Sequence, residues 1–221
     1  MPNTFCASDH HLFHPPINAL CQRPFESNEH AAEEMVRRHN KVVRPEDTCF
    51  FLGDFWFGPR DDGRMREWVQ RFNGTLVLVL GNHDRASVTA TNGWMHQRTY
   101  LDAGFAAVVD ASTLTLPQVK NRTPRVPGAR ATTPDSAPDP ARKVVLSHFP
   151  YEADHTDEPR FRQFRLRDEG RWLLHGHVHG EYTVRQRGVN VGVDVWDFAP
   201  VNVHDLARLI ADVEHGRTAE F

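Results

Sequence analysis

Residues 75–84 read TLVLVLGNHD, an apolar run that ends in a glycine and three polar residues. The run at residues 75–80 is short and rich in valine and leucine, and therefore predicts a buried β-strand. Asn82, His83 and Asp84 come where that strand would end. In α/β domains the functional groups lie outside the carboxyl ends of the strands, so this stretch predicts both a fold class and the place of a site.

Four other apolar runs end in the same kind of residue. Asp9 and His11 follow the run at residues 4–7, Asp54 follows 48–53, His148 follows 143–147, and the sequence GHVHG, with His177 and His179, follows 172–175. A lone D-x-H pair is more often a surface pair or a core histidine than a metal site. Five such endings in order along the chain are hard to explain as chance.

Helical patterns separate these strands. Residues 28–43 keep roughly helical spacing, Met65, Trp68, Val69 and Phe72 fall at i, i+3, i+4 and i+7, and a further helix is expected at about residues 94–103. Gly74 stands where a left-handed helix cap belongs, and Asn202 is placed to cap a final helix that ends by Gly216. The alternation predicts an α/β fold, and we expect a single domain over residues 1–221.

Composition excludes several classes of protein. The chain of 221 residues has 14 histidines, 3 cysteines and a net charge of -3, which argues against a disulfide scaffold and against a general basic surface for nucleic acid. The longest aliphatic run, residues 76–80, is far shorter than the ~20 residues of a membrane span, and no secretory signal is visible. We expect a cytoplasmic protein that makes no membrane contact.

Residues 117–142 differ in composition from the rest of the chain, with six prolines, no aromatic side chain and a net charge of +3. The segment lies between two predicted strands, so we interpret it as a flexible Pro-rich hairpin tip within the domain.

The residue types that follow the strands suit a metal centre. Residues i and i+2 of an extended chain point to one side, so Asp9 with His11, and His177 with His179, could each grip one ion. Gly53, Gly81 and Gly176 would let the backbone turn sharply and approach closely before the ligands. Carboxylate and imidazole without thiolate suit Mn²⁺, Fe, Co, Ni or Zn²⁺.

The ordered motifs SDHH, GDFW, GNHD, SHFP and GHVHG resemble the calcineurin-like metallophosphoesterase superfamily over residues 8–180. The likeness is strongest to its small bacterial and phage phosphoesterases, through SDHHLFH and Arg23-Pro24-Phe25. It implies two stacked mixed β-sheets flanked by helices, a four-layer αββα fold, with a dinuclear metal site across the sheet edges.

The resemblance also implies a ligand set. One metal would be held by Asp9, His11, Asp54 and His179, and the second by Asp54, Asn82, His148 and His177, so that Asp54 bridges. Mn²⁺ is the expected ion, with Fe, Ni, Co and Zn²⁺ as alternatives.

The implied reaction is hydrolysis of a phosphoester by a metal-activated hydroxide. His83 would face the leaving oxygen, and Asp84 would orient His83. His14 is expected either to contact substrate phosphate or to be a packing residue. His10 is predicted to lie behind the ligands or in the core, and His175 to be buried. The histidines without a motif are predicted to lie on the surface: His30, His39, His96, His155, His204 and His215.

Three functions remain open from the sequence. The favoured one is a hydrolase of phosphomonoesters or phosphodiesters in small or nucleotide-like substrates. A nuclease for single-stranded DNA or RNA would use the four arginines and two phenylalanines of residues 160–167 to contact phosphates and bases. The favoured interpretation of that run is an amphipathic strand or helix face with its charges in solvent. A non-catalytic scaffold would lack ligands, and none is missing. No sequence feature indicates an oligomeric state.

Overall fold

The computed structural model describes residues 2–58, 62–119, 139–152, 154 and 160–217. Most of the predicted Pro-rich loop, residues 120–138, lies outside these ranges, as does His155.

Two five-stranded sheets carry the described chain. The strands in chain order are β1 (Thr4–Ala7), β2 (Thr48–Phe51), β3 (Thr75–Val79), β4 (Ala107–Val109), β5 (Ser112–Leu116), β6 (Arg142–Leu146), β7 (Leu173–His175), β8 (Val184–Arg185), β9 (Gly188–Asn190) and β10 (Val201–Asn202). The first sheet has the order β10-β1-β2-β3-β4, and the second has the order β5-β6-β7-β9-β8. Both sheets are mixed, because β1 to β4 and the β6-β7-β9 set run parallel while β10, β5 and β8 pair antiparallel with their neighbours.

The helices are α1 (Ile17–Leu20), α2 (Asn28–Val42), α3 (Asp62–Val69), α4 (Gln97–Ala103) and α5 (Val203–Glu214). Short 3-10 turns cover Gly93–His96, Arg162–Phe164 and Val193–Val195. The Ser27 side chain caps α2 by accepting from the His30 backbone N–H at 3.0 Å, and Asn202 caps α5 in the same way through His204 at 2.8 Å.

Two apolar cores lie on the two faces of the first sheet. On one face Phe51, Leu78 and Met35 of α2 belong to a cluster that also contains side chains of α3 and α4. On the other face Leu52 and Val79 pack with side chains of the second sheet, such as Leu174, and with α5. Alternate residues of β1 to β3 serve opposite clusters, as expected for strands buried on both faces. The predicted stacked sheets flanked by helices are confirmed.

Element boundaries differ from prediction mainly where elements are very short. The helix expected at residues 94–103 begins as a 3-10 turn over Gly93–His96. The strand β10, of two residues, and the single turn of α1 were not predicted, because neither is long enough to show a periodicity. In the described part of the chain, no helix has the length and apolar character to cross a membrane.

The surface prediction for His39 is wrong. His39 is fully buried on α2, and its Nε2 donates to the carbonyl of Asn73 at 2.9 Å. It continues the apolar face formed by Ala32, Met35 and Val36, so helical spacing was the signal that sequence reasoning overlooked. His10 and His175 are buried as predicted. His30, His204 and His215 are exposed, and His96 is half-buried.

Candidate metal centre

All seven predicted ligands lie at one edge of the two sheets. Each follows the carboxyl end of a parallel strand, in the chain order β1, β2, β3, β6 and β7. The edge opens into a cleft of about 660 Å³, whose lining includes His11, Asp54, Asn82, His177 and His179. Asp9 and His148 lie fully buried beneath it.

A first group consists of Asp9, His11 and His179, each of which offers one ligand atom within 4.8 Å of the others. The His11 Nε2 lies 3.9 Å from Asp9 Oδ1, and the rings of His11 and His179 have centroids 5.0 Å apart. The His177 backbone N–H donates to the Asp9 carboxylate at 3.0 Å, which ties the first ligand loop to the GHVHG loop.

A second group surrounds Asn82, whose Oδ1 lies 3.0 Å from both His148 Nε2 and His177 Nδ1. The other nitrogen of His148 donates to the Leu52 carbonyl at 2.8 Å, which leaves Nε2 as the ligand atom. The Asp54 Oδ2 lies 3.4 Å from His148 Nε2 and 3.5 Å from His11 Nε2. Asp54 therefore lies between the two groups.

The residues present fit a divalent cation. Both ring nitrogens of His11 are buried and have no hydrogen-bond partner among the described residues, which is costly for a polar group unless an ion takes one of them. Carboxylate, amide and imidazole donors converge around that ring, and no cysteine is in either group. The donor chemistry does not select one metal.

The expected reason for the i, i+2 spacing is wrong. Asp9 and His11 have φ of 59° and 50°, and His177 and His179 have φ of 73° and 48°, so both ligand pairs lie in left-handed turns and not on extended chain. Asp54 has φ of 53° as well. Non-glycine residues in this region cost roughly 1–3 kcal/mol each, and such strain clusters at functional sites.

The three predicted glycines let the ligand loops approach each other. A Cβ on Gly176 would lie 2.3 Å from Asp9 Oδ2. A Cβ on Gly53, which has φ of +96°, would lie 2.5 Å from His148 Nδ1, and a Cβ on Gly81 would lie 2.2 Å from Asp54 Oδ1. All three distances are far below van der Waals contact, so the predicted need for glycine before these ligands agrees with the geometry.

Asp84 contacts the backbone and not the His83 ring that it was expected to orient. Its Oδ2 accepts from the backbone N–H groups of Asp54 at 2.9 Å and Gly81 at 2.8 Å, and its Oδ1 accepts from Phe55 at 3.2 Å. Burial and the charge of Asp54 raise the pKa of Asp84 to about 7 against the effect of these amides. Asp84 thus positions the Asp54 and Gly81 turns.

His83 and His14 line the cleft beside the first group. The exposed His83 ring lies 5.2 Å from that of His11, and its backbone N–H donates to Asp54 Oδ1 at 2.8 Å. The half-buried His14 ring lies 3.8 Å from the Phe57 ring. Burial, with help from His83, lowers the pKa of His14, so the ring is neutral at pH 7 and can accept or donate.

Charges at the centre are strongly coupled. Burial alone would lower the pKa of His148, but Asp54 and Asp9 outweigh burial and raise it to about 9. The pKa of His179 is raised to about 11, because its contacts with Asp194 and Cys21 and the charge of Asp9 overcome burial. Histidine binds metals as the neutral ring, so metal binding here would release protons.

Sequence reasoning missed two buried carboxylates behind the ligand histidines. Asp154 Oδ1 lies 3.1 Å from His177 Nε2, and Asp194 Oδ2 lies 3.5 Å from His179 Nδ1. Neither aspartate stands in a motif. The one available signal was Arg23, which pairs with Asp194 at 2.7 Å across 171 residues of chain.

The arginine run at residues 160–167 is neither a strand nor an amphipathic helix. It contains the 3-10 turn Arg162–Phe164, in which Arg162 is exposed. The Arg165 side chain is only 6% exposed and donates to Asp154 at 3.0 Å. Arg160 lines the cleft.

Comparison with known proteins agrees with this geometry. The model of the calcineurin-like phosphoesterase family matches residues 3–181. The chain is 31% identical to the Gene 66 proteins of Mycobacterium phages L5 and D29, over 97% and 98% of its length and 98% and 100% of theirs.

A solved structure has a similar fold at low sequence identity. It is a protein of unknown function from Aquifex aeolicus, with a TM-score of 0.62 and 20% identity, and the match covers 95% of this chain and 100% of that one. The family match spans every ligand loop described above. The chain belongs to the calcineurin-like phosphoesterase family.

Proposed function

We propose that the protein is a dinuclear-metal-dependent hydrolase of small or nucleotide-like phosphate esters. The observation that carries this proposal is the position of Asp54, whose Oδ2 lies within 3.5 Å of a ligand nitrogen from each of the two groups. A single structural metal site would need only one such group. Family membership supports phosphoester chemistry in general.

Two divalent ions, when bound, would supply Lewis acidity toward phosphoryl oxygens and make water a better nucleophile. Mn²⁺ is the expected ion. Asp9, His11, Asp54 and His179 would hold one ion, and Asp54, Asn82, His148 and His177 would hold the other. Asp84 keeps Asp54 in place through the two backbone amides bonded to its Oδ2.

His83 is the proposed proton donor to the leaving oxygen. Its ring is exposed in the cleft 5.2 Å from the His11 ring, and its backbone N–H donates to Asp54 Oδ1, which places His83 beside the ligands. His14 lies beside both of these rings, with its ring centroid 5.2 Å from that of His11 and 5.7 Å from that of His83, and is proposed to contact the substrate phosphate.

The cleft supports a small substrate. Its volume of about 660 Å³ falls within the range of small-molecule sites. Its lining combines Arg160 with the apolar side chains of Ile17 and Leu20. Arg160 pairs with Asp154 at 3.5 Å but is partly exposed in the cleft, where a guanidinium suits a second phosphate or carboxylate. Leu20 is 70% exposed, which favours an organic group over a bare phosphate in the outer cleft.

The nuclease remains a second candidate because of Arg160 in the cleft. Arg165, however, is turned inward to Asp154, which removes one arginine from any nucleic-acid track. Binding to single-stranded DNA or RNA that weakens steeply with salt would favour the nuclease, and binding indifferent to salt would count against it.

The test is metal analysis beside a hydrolysis panel of an aryl phosphate, an aryl phosphodiester, cyclic nucleotides and single-stranded DNA, each with Mn²⁺. Asp54→Ala is the inactive control. We expect hydrolysis of at least one small ester that the control lacks. A filled metal site with no hydrolysis of any substrate would contradict the proposal.

A further inference from the structure

Each histidine of the GHVHG motif has a buried carboxylate behind it. His177 turns Nδ1 toward Asn82 and Nε2 toward Asp154. His179 turns Nδ1 toward Asp194, and one of its ring nitrogens also belongs to the ligand group with Asp9 and His11. The His177 ring therefore lies between Asn82 and an aspartate, and the His179 ring has both a ligand group and an aspartate close to it.

Each of these aspartates is held by an arginine. Arg23 binds Asp194 through two parallel contacts, Nε to Oδ1 at 2.7 Å and a terminal nitrogen to Oδ2 at 2.8 Å. Arg165 donates to Asp154 Oδ2 at 3.0 Å. The side chains of Arg23 and Asp154 are fully buried, and those of Arg165 and Asp194 are at most 6% exposed.

The arginines also bind the backbone near the ligands. Arg23 donates to the carbonyls of Asp9 at 2.7 Å and His10 at 2.9 Å, within the left-handed turn that carries the first group. Arg165 donates to the carbonyls of Pro150 and Arg160. Each arginine thus fixes its aspartate relative to a segment that borders the site.

Stability alone gives a weak reason for two such pairs. Taking a carboxylate and a guanidinium out of water costs about as much as their attraction returns, and apolar residues of similar volume often serve as well. A carboxylate on the outer nitrogen of a metal-binding histidine has a known physical effect, since it fixes the tautomer and the ring orientation and makes the ligand nitrogen more basic.

We propose that Asp154 and Asp194 are positioning residues, which fix the rings of His177 and His179 for metal binding, and that Arg165 and Arg23 hold them there. The inference rests on the proposed function in that both histidines serve as ligands. It also gives the run at residues 160–167 a role: Arg165 acts on the metal centre through Asp154 and His177, and does not contact substrate.

The test compares each aspartate with the histidine it serves. Mn²⁺ affinities are measured by calorimetry, and the visible spectrum of bound Co²⁺ is recorded, for Asp154→Ala beside His177→Ala and for Asp194→Ala beside His179→Ala. We expect each aspartate variant to weaken, by about 10- to 100-fold, the same binding event that its histidine variant abolishes. The other binding event should change by much less, and the Co²⁺ spectrum should shift.

Asparagine variants guard against misfolding of the alanine variants. The amide oxygen of Asp154→Asn can still accept from the His177 ring, so this variant should keep more affinity than Asp154→Ala. Arg162→Ala changes an exposed arginine of the same run and should bind Mn²⁺ as the wild type does, whereas Arg165→Ala should weaken the His177 event.

Two results would overturn the positioning roles: wild-type affinities in folded Asp154 and Asp194 variants, or an equal loss of both binding events in every variant. A wild-type protein that binds two Mn²⁺ but hydrolyses no ester would contradict the proposed function and leave the positioning roles intact. A wild-type protein that binds no Mn²⁺ would overturn both.

Discussion

His39 and His148 are two buried histidines, one in the core and one at the metal centre, whose surroundings differ at one ring nitrogen. Both rings are fully buried, and each donates from one nitrogen to a backbone carbonyl, Asn73 at 2.9 Å for His39 and Leu52 at 2.8 Å for His148. The second nitrogen of His39 has no hydrogen-bond partner among the described residues, while that of His148 faces Asn82 and Asp54.

The two environments move the pKa in opposite directions. Burial lowers the pKa of His39 to about 4, whereas Asp54 and Asp9 overcome burial and raise the pKa of His148 to about 9. Burial and a backbone acceptor are thus common to a core histidine and a ligand histidine. Carboxylates at the second nitrogen make the difference, and they come from other strands.

The largest expected effect is a loss of turnover without a loss of bound metal. His83→Ala should lower turnover by about 10²- to 10⁴-fold, because the leaving oxygen loses its proton donor. Bound metal, measured by elemental analysis, should be unchanged, since no ligand is removed. His39→Gln is the matched core variant and should turn over as the wild type does. If bound metal disappears with the activity of His83→Ala, the role of His83 is wrong.

We expect acid to lower the free energy of unfolding because the buried His39 ring resists protonation. Between pH 6.5 and about 4 the unfolded chain binds a proton at this ring that the folded chain does not, so the free energy of unfolding falls as the pH falls. A shift of this size corresponds to about 3 kcal/mol over that window.

Denaturant unfolding of wild type and His39→Gln at pH 7.5 and pH 4.5 measures this effect. Glutamine can still donate to the Asn73 carbonyl and does not titrate, so the variant should lose less stability on acidification. Equal losses in the two proteins would mean that His39 is not a buried neutral ring.

The close approach of the ligand loops should be lost when a single Cβ atom is added at Gly81. Gly81→Ala would place a Cβ 2.2 Å from Asp54 Oδ1, so Asp54 must move, and Mn²⁺ affinity should fall by about 10- to 100-fold. Gly180→Ala in the GHVHG motif is the control, because among the described residues its Cβ would meet only Asp194 Cβ at an ordinary 3.9 Å. Similar affinities for the two variants would argue against a need for glycine at position 81.

The smallest effect lies far from the site. Asn202→Ala removes the side-chain cap of α5 and should lower the free energy of unfolding by about 1 kcal/mol, measured by urea denaturation. Metal affinity should stay at the wild-type value. A loss of metal affinity would show that the end of α5 is coupled to the metal centre.

Sequence patterns predicted the strands that carry the site because each is an apolar run that stops at a polar group. The same patterns could not predict the left-handed turns at Asp9 and His177, since residue spacing does not distinguish a turn from an extended chain. The burial of His39 was not predicted, because histidine was treated as a surface residue type although its spacing places it on the apolar face of α2.

The carboxylates behind the ligands could not be found from local sequence. Asp154 and Asp194 are defined by contacts with Arg165 and Arg23, and the second pair spans 171 residues. Tertiary structure alone brings such partners together. Asp84, in contrast, was found by its motif, but its role became clear only from the backbone amides that it binds.

Anomalous diffraction from crystals loaded with Mn²⁺ tests directly whether Asp54 bridges two metal ions. We expect two peaks at the sheet edge, one among Asp9, His11 and His179 and one among Asn82, His148 and His177, with the Asp54 carboxylate between them. A single peak, or a second peak away from Asp54, would contradict a dinuclear centre bridged by this residue.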